Sequence, residues 1–145
     1  MTILLKGGLL YDGSQDPPRL ADVLLNEDRI IKVADSIDHA AERIIDCTGL
    51  AIAPGLIDAH SHNDFYVDLD DAERFFKPFL EQGITTQVTG NCGFSAFGVE
   101  SDSPHRDKVG AGLFRARRAG SYAEFCAEAQ GKAFVNIAPL IGHGT

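Results

Sequence analysis

The sequence has 145 residues, 44% hydrophobic and 23% charged, with a formal net charge of −8. That is chain enough for one domain with its own core, in a composition typical of soluble globular proteins. The acidic balance excludes a nucleic-acid or anionic-membrane surface, which needs a basic patch.

The one basic run, "FRARRAG" at 114–120, reads as a solvated helix face. The opening "MTILLKGGLLYDG" lacks the charged start and sustained apolar centre of a signal peptide. No stretch approaches the roughly 18 apolar residues of a membrane helix. Cys47, Cys92 and Cys126 are an odd set without framework spacing, so reduced thiols and a cytoplasmic location are expected.

Residues 1–53 read as short strands and turns. "TILLKGG" and "LLYDGS" are apolar runs ended by Gly and Asp, residues that punctuate strands. "ADVLLNEDRIIKVAD" reads as a hairpin, with strands at Val23–Leu25 and Ile30–Val33 about a turn at "NED". "RIIDCTG" and "LAIAPG" add two strand-like pieces, and none of this has helical period.

From Pro54 the pattern changes. "GLIDAH" is a short apolar strand. "DDAERFFKPFLEQG" is a helix with Phe75, Phe76, Phe79 and Leu80 on one side. Pro78 should kink or restart it, and Gly83 is a natural residue just past its end. "ITTQVT" is a β-branched strand, and "SYAEFCAEAQGK" is a helix opened by a capping box of Ser121 with Glu124. Its apolar stripe is Tyr122, Phe125, Cys126 and Ala129, and "AFVNIAPLIG" follows as a third strand. The span from Gly93 to Gly120 reads as part loop and part helix. Strand–helix–strand–helix–strand with near-continuous apolar strands points to a parallel sheet covered on both faces. The expected class is α/β, with a β-rich segment at 1–53 and the α/β part at 54–145.

Chemistry concentrates at strand ends. In "PGLIDAHSHND", Asp58, His60 and His62 share a face if the strand continues through His62. Two imidazoles so placed can hold one metal ion; the plainer alternative is a pair of turn or core histidines. "ITTQVTGNCGFS" puts Cys92 just past the second strand, between Gly90 and Gly93. Parallel architectures carry their chemistry at this end of the sheet. A thiolate with two imidazoles suits Zn²⁺, whereas a small buried hydrophobe is the alternative for Cys92. The flanking glycines suggest backbone pressed close to something. "PLIGHGT" places His143 at the same rim, either near substrate or as a plain turn histidine.

These residues resemble the amidohydrolase superfamily of metal-dependent hydrolases built on a TIM barrel. "APGLIDAHSHND" looks like its first-strand metal motif. "QGITTQVTGNCGFS" and "PLIGHGT" are similar to the N-acyl-D-amino-acid deacylase, or D-aminoacylase, group. The resemblance runs from Ile3 to Thr145, and it is weak over 96–120. It implies a fold in which 1–53 contributes strands to a small β-sandwich and 54–145 the first strands of a (β/α)₈ barrel.

It also implies that His60 and His62 bind a loosely held metal. Cys92 would bind a tight zinc and could bridge to the other. Asp64 and Asn91 lie in the motifs, as substrate-side or supporting residues or as solvated loop residues. Cys47 and Cys126 read as core, and His39 and His105 as exposed and inert. The implied activity is zinc-assisted hydrolysis of small N-acyl-D-amino acids to a D-amino acid and a carboxylate.

A (β/α)₈ barrel takes about 250 residues. The expectation is therefore an N-terminal part, inactive by itself, whose remaining histidines and general-base aspartate lie beyond Thr145. The missing part of the barrel is then its expected partner. The alternatives are a cyclic amidase of the dihydropyrimidinase or dihydroorotase kind, which "GNCG" disfavours, and a non-catalytic truncated product.

Overall fold

The computed structural model describes residues 1–98 and 120–143. His105 and nearly all of the basic run at 114–120 lie outside the described residues, as does most of the span read as part loop, part helix. The chain divides into two compact units, Met1–Pro54 and Gly55–Thr145. No helix among the described residues is long and apolar enough to cross a membrane.

The first unit is a mixed sheet of five strands: β1 (Thr2–Leu10), β2 (Arg19–Asn26), β3 (Arg29–Ala34), β4 (Arg43–Asp46) and β5 (Ala51–Ile52). The order is β3-β2-β1-β4, with β5 also on β1. β2 and β3 form the expected hairpin, pairing Asn26 with Arg29, and Glu27 takes a positive φ of 53° in its turn. β4 and β5 both run parallel to β1 at successive positions along it.

The two apolar runs at the start form a single strand. The register of β1 against β2 shifts between Leu5 and Gly8, a bulge that bends the strand without ending it. The buried carboxylate of Asp22 secures the bulge, accepting from Gly7 N at 2.8 Å and from Ile37 N at 2.9 Å. Small aliphatic clusters fill the sheet's faces: Leu4, Leu24 and Ile37 in one, Leu10, Ala21 and Val23 in the other.

The second unit holds three parallel strands in the order β6-β7-β8. They are β6 (Leu56–Asp58), β7 (Ile84–Thr89) and β8 (Asn136–Pro139), with α1 (Glu73–Leu80) and α2 (Tyr122–Ala129) in the connections. Pro78 does not restart α1. The helix runs through it, and the bonds of Glu81 N to Lys77 O and Gln82 N to Phe79 O carry the chain past the missing donor. α2 opens on the expected capping box of Ser121 and Glu124.

The second unit has an aromatic core formed by Phe65, Phe76, Phe97 and Phe125 with Val67, Ala72, Ala96 and Val135. Phe76 is fully buried, and the Phe97 and Phe125 rings stack with centroids 4.8 Å apart. Leu80, expected on the same apolar side, is 39% exposed.

Candidate metal centre

β6 stops at Asp58, so strand alternation does not bring the two histidines together. The carboxylate of Asp58 accepts from His60 N at 3.1 Å, which turns the chain out of the strand. His62 then precedes a short 3-10 turn at Asn63–Tyr66. Between the histidines, Ser61 is buried and donates its N–H to Val88 O at 2.9 Å, while its hydroxyl accepts from Asn63 N at 3.2 Å. The His60 and His62 rings meet edge to face, with centroids 5.6 Å apart.

Past the end of β7, a second 3-10 turn at Asn91–Gly93 carries Cys92. Cys92 is exposed, so it is not the small buried hydrophobe that was its alternative reading. Its Sγ lies 3.3 Å from His60 Nε2. One donor atom from each of His60, His62 and Cys92 lies within 4.8 Å of the others. Zinc bonds of about 2.0–2.3 Å give a tetrahedral edge of about 3.3–3.7 Å. The thiol–imidazole spacing already matches that edge, and the donor set of two imidazoles and a thiol suits zinc. Burial, with the neighbouring charge of His60 second, holds His62 below the ordinary histidine value of 6.5. Neutral imidazole is the form that binds metal.

The glycines around Cys92 do mark a close approach. Gly90 has a φ of +76°, and a Cβ there would sit 2.1 Å from Leu140 O, just past the end of β8. A side chain on Gly142 would likewise meet Gly93 O at 2.5 Å and Ser95 N at 2.6 Å. The ends of β7 and β8 are thus pressed together, and Leu140 N donates to Thr89 O at 2.9 Å.

His143 follows Gly142 at this rim and is exposed; it is not one of the three grouped donors. Asp64 is fully buried, and its Oδ2 accepts from Ala96 N at 2.8 Å, so it is not a solvated loop residue. Asn91 is half-buried and donates through Nδ2 to Val88 O at 2.9 Å and Ser61 O at 3.3 Å. Cys47 is buried, Cys126 partly so, and both are free thiols; His39 is exposed.

Sequence reading missed two supporting residues. Ser61 hides between the histidines, and Gln87 is fully buried within β7, its Oε1 accepting from Asn63 Nδ2 at 3.0 Å. The signal for Gln87 was a long polar side chain in the otherwise β-branched run "ITTQVT".

No family model matches the chain. D-aminoacylase of Alcaligenes xylosoxydans xylosoxydans is 40% identical over 146 aligned residues, covering 99% of this chain and 29% of the relative. A solved structure of D-aminoacylase, described as having a binuclear metal center with one-metal activation and second-metal attenuation, superposes with a TM-score of 0.76 at 35% identity. It covers 97% of this chain and 29% of that one. N-acyl-D-glutamate deacylase from Bordetella bronchiseptica, solved with zinc and a phosphonate inhibitor, gives a TM-score of 0.80 at 30% identity, with the same coverages. The chain therefore spans about 29% of the length of these relatives. Over nearly all its residues, this chain is a homologue of D-aminoacylase and the N-acyl-D-amino-acid deacylases, enzymes of the amidohydrolase kind, and matches the N-terminal region of their fold.

Proposed function

We propose that this sequence carries the metal-binding corner of a zinc-dependent N-acyl-D-amino-acid deacylase. In this reading residues 1–53 belong to a small β-sandwich, and residues 54–145 form the opening strands of a (β/α)₈ barrel. The observation that carries the proposal is the convergence of His60, His62 and Cys92 within 4.8 Å at one end of adjacent parallel strands. The similar proteins named above, which act on N-acyl-D-amino acids, support the same reading.

His60 and His62 would hold the more loosely bound ion, and Cys92 the tighter one, with the thiolate able to bridge both. Zinc, when bound, supplies a Lewis acid that polarises an acyl carbonyl and makes a water more acidic. Burial, with the charge of His60 second, lowers the His62 pKa, which favours the neutral imidazole that binds metal. Asp64, Asn91 and His143 would support the ligands or face substrate. Two histidines alone would suit a cyclic amidase equally; the thiol 3.3 Å from His60 favours the deacylases. Free thiols fit a cytoplasmic setting.

Native mass spectrometry of the zinc-loaded chain, run beside a hydrolysis assay of the longer enzyme that carries it on N-acetyl-D- and N-acetyl-L-amino acids, tests this. The wild type should retain zinc, and Cys92→Ala should weaken it by more than about 100-fold, beyond the usual loss for a supporting residue. In the longer enzyme that carries this segment, hydrolysis should be confined to the D series and stop on chelation. Equal zinc retention by Cys92→Ala, or turnover that survives chelation, overturns the proposal.

A further inference from the structure

The ligands come from two segments about thirty residues apart in sequence, and one side chain touches both. Asn91 is bonded covalently to Cys92. Its Nδ2 lies 3.3 Å from Ser61 O and 2.9 Å from Val88 O. Both partners are carbonyl oxygens, which only accept, so the amide nitrogen must face them and each of its two protons has a partner. Ser61 is the residue between His60 and His62. Its N–H is already bonded to Val88 O at 2.9 Å. With Asn91 on its carbonyl, the peptide groups on both sides of Ser61 are held, and with them the backbone that carries both imidazoles.

The Cys92 side of the clamp is a strained turn that needs holding in place. Cys92 sits at φ 56°, ψ 16°, the left-handed region that L-residues other than glycine avoid. Gly90 and Gly93 on either side also have positive φ. Such a turn relaxes unless its surroundings over-determine it. The backbone bond from Phe94 N to Asn91 O at 3.0 Å closes the turn on itself but does not tie it to the histidines. The Asn91 side chain does.

We infer that Asn91 is the positioning residue of the metal centre, fixing the Cys92 thiolate against His60 and His62 by bridging Ser61 O and Val88 O. This rests on the reading of those three residues as metal ligands. Asn91 does not itself touch the metal; it sets the distance between the two halves of the ligand set before an ion arrives.

Cobalt and zinc titrations of the whole chain test it, with Asn91→Ala compared with Asn136→Ala. Asn136 makes the equivalent side-chain bond to a β7 carbonyl, Thr85 O, at 3.2 Å, away from the cluster's end of the strand. The wild type should give a thiolate-to-cobalt charge-transfer band. Asn91→Ala should weaken zinc by about 10- to 100-fold, the range for residues that orient ligands. Its charge-transfer band should also fall relative to the d–d bands, while Asn136→Ala keeps wild-type affinity and spectrum.

A wild-type band with Asn91→Ala at unchanged affinity and spectrum overturns this inference and leaves the metal reading standing. A wild type that takes up cobalt without a thiolate band overturns both. A measurement on the unmutated protein guards against an Asn91→Ala chain that fails to fold. The side-chain amide protons of Asn91 should exchange slowly and shift when zinc is added. Freely exchanging protons that ignore zinc overturn the inference as well.

Discussion

The two units use buried polar groups for different ends. In Met1–Pro54 the buried carboxylate of Asp22 receives the N–H groups of Gly7 and Ile37, and so serves a strand bulge and the loop after the hairpin. In Gly55–Thr145 the buried Ser61, Asn63, Asp64, Gln87, Thr89 and Ser95 lie in or just past the C-terminal ends of β6 and β7, where the candidate ligands converge. The cores differ too: small aliphatic clusters in the first unit, a larger cluster rich in phenylalanine in the second. A buried polar residue that supports a sheet should cost stability alone when lost. One that supports a site should cost function out of proportion to stability.

The largest test of that contrast is a matched pair of core truncations. Leu4→Ala, at a residue 1% exposed, should cost about 2–5 kcal/mol and leave zinc affinity of the still-folded protein unchanged. Phe76→Ala, at a residue fully buried in α1, should cost about 3–5 kcal/mol and weaken zinc too. The Phe76 helix presents Phe75 O to Asn63 Nδ2, in the turn that follows His62. Chemical denaturation with and without zinc separates the two. If Leu4→Ala weakens zinc as strongly as Phe76→Ala does, the contrast fails.

A smaller effect is expected from Asp22→Asn. The new amide puts donors where Gly7 N and Ile37 N already donate, and one of those N–H groups loses its partner. The expected loss is about 1–3 kcal/mol at unchanged zinc affinity, read from urea midpoints and a competition titration. Full stability in this variant would mean the bulge does not need its carboxylate.

The smallest effect is in pH. His62 lies below its ordinary value of 6.5 in the fold, through burial first and the charge of His60 second. The unfolded chain then binds that proton more readily than the folded one. Stability of the metal-free protein should therefore fall as pH drops from the ordinary histidine value towards the lowered one, and be flat above that window. Urea midpoints across the window should show a slope that His62→Gln removes. A slope that survives the substitution belongs to another group.

Much of this was legible in the sequence where the signal is local. The hairpin at 23–33, the Ser121–Glu124 capping box and the strand–helix alternation after Pro54 each depend on residues a few positions apart. The site was legible as residue types at strand ends, since "HSH" and "GNCG" are short motifs. What stayed hidden depends on distant partners. β1 passes through two glycines because Asp22, fifteen residues on from Gly7, secures the bulge. Asp64 looks like a loop residue until Ala96 N, 32 residues on, is found donating to it. The condition that the strand run on through His62 is not met for a nearer reason, since the carboxylate of Asp58 competes for the His60 N–H that a strand ladder would use.

The left-handed backbone of Cys92 sets two kinds of selection against each other. At φ 56° glycine is the residue the backbone itself prefers. Variation screened only for folding would drift towards glycine there, while under the proposed metal role variation screened for retained metal would keep the thiol. Position 92 is thus one where a stabilised descendant and a working descendant of this sequence part company.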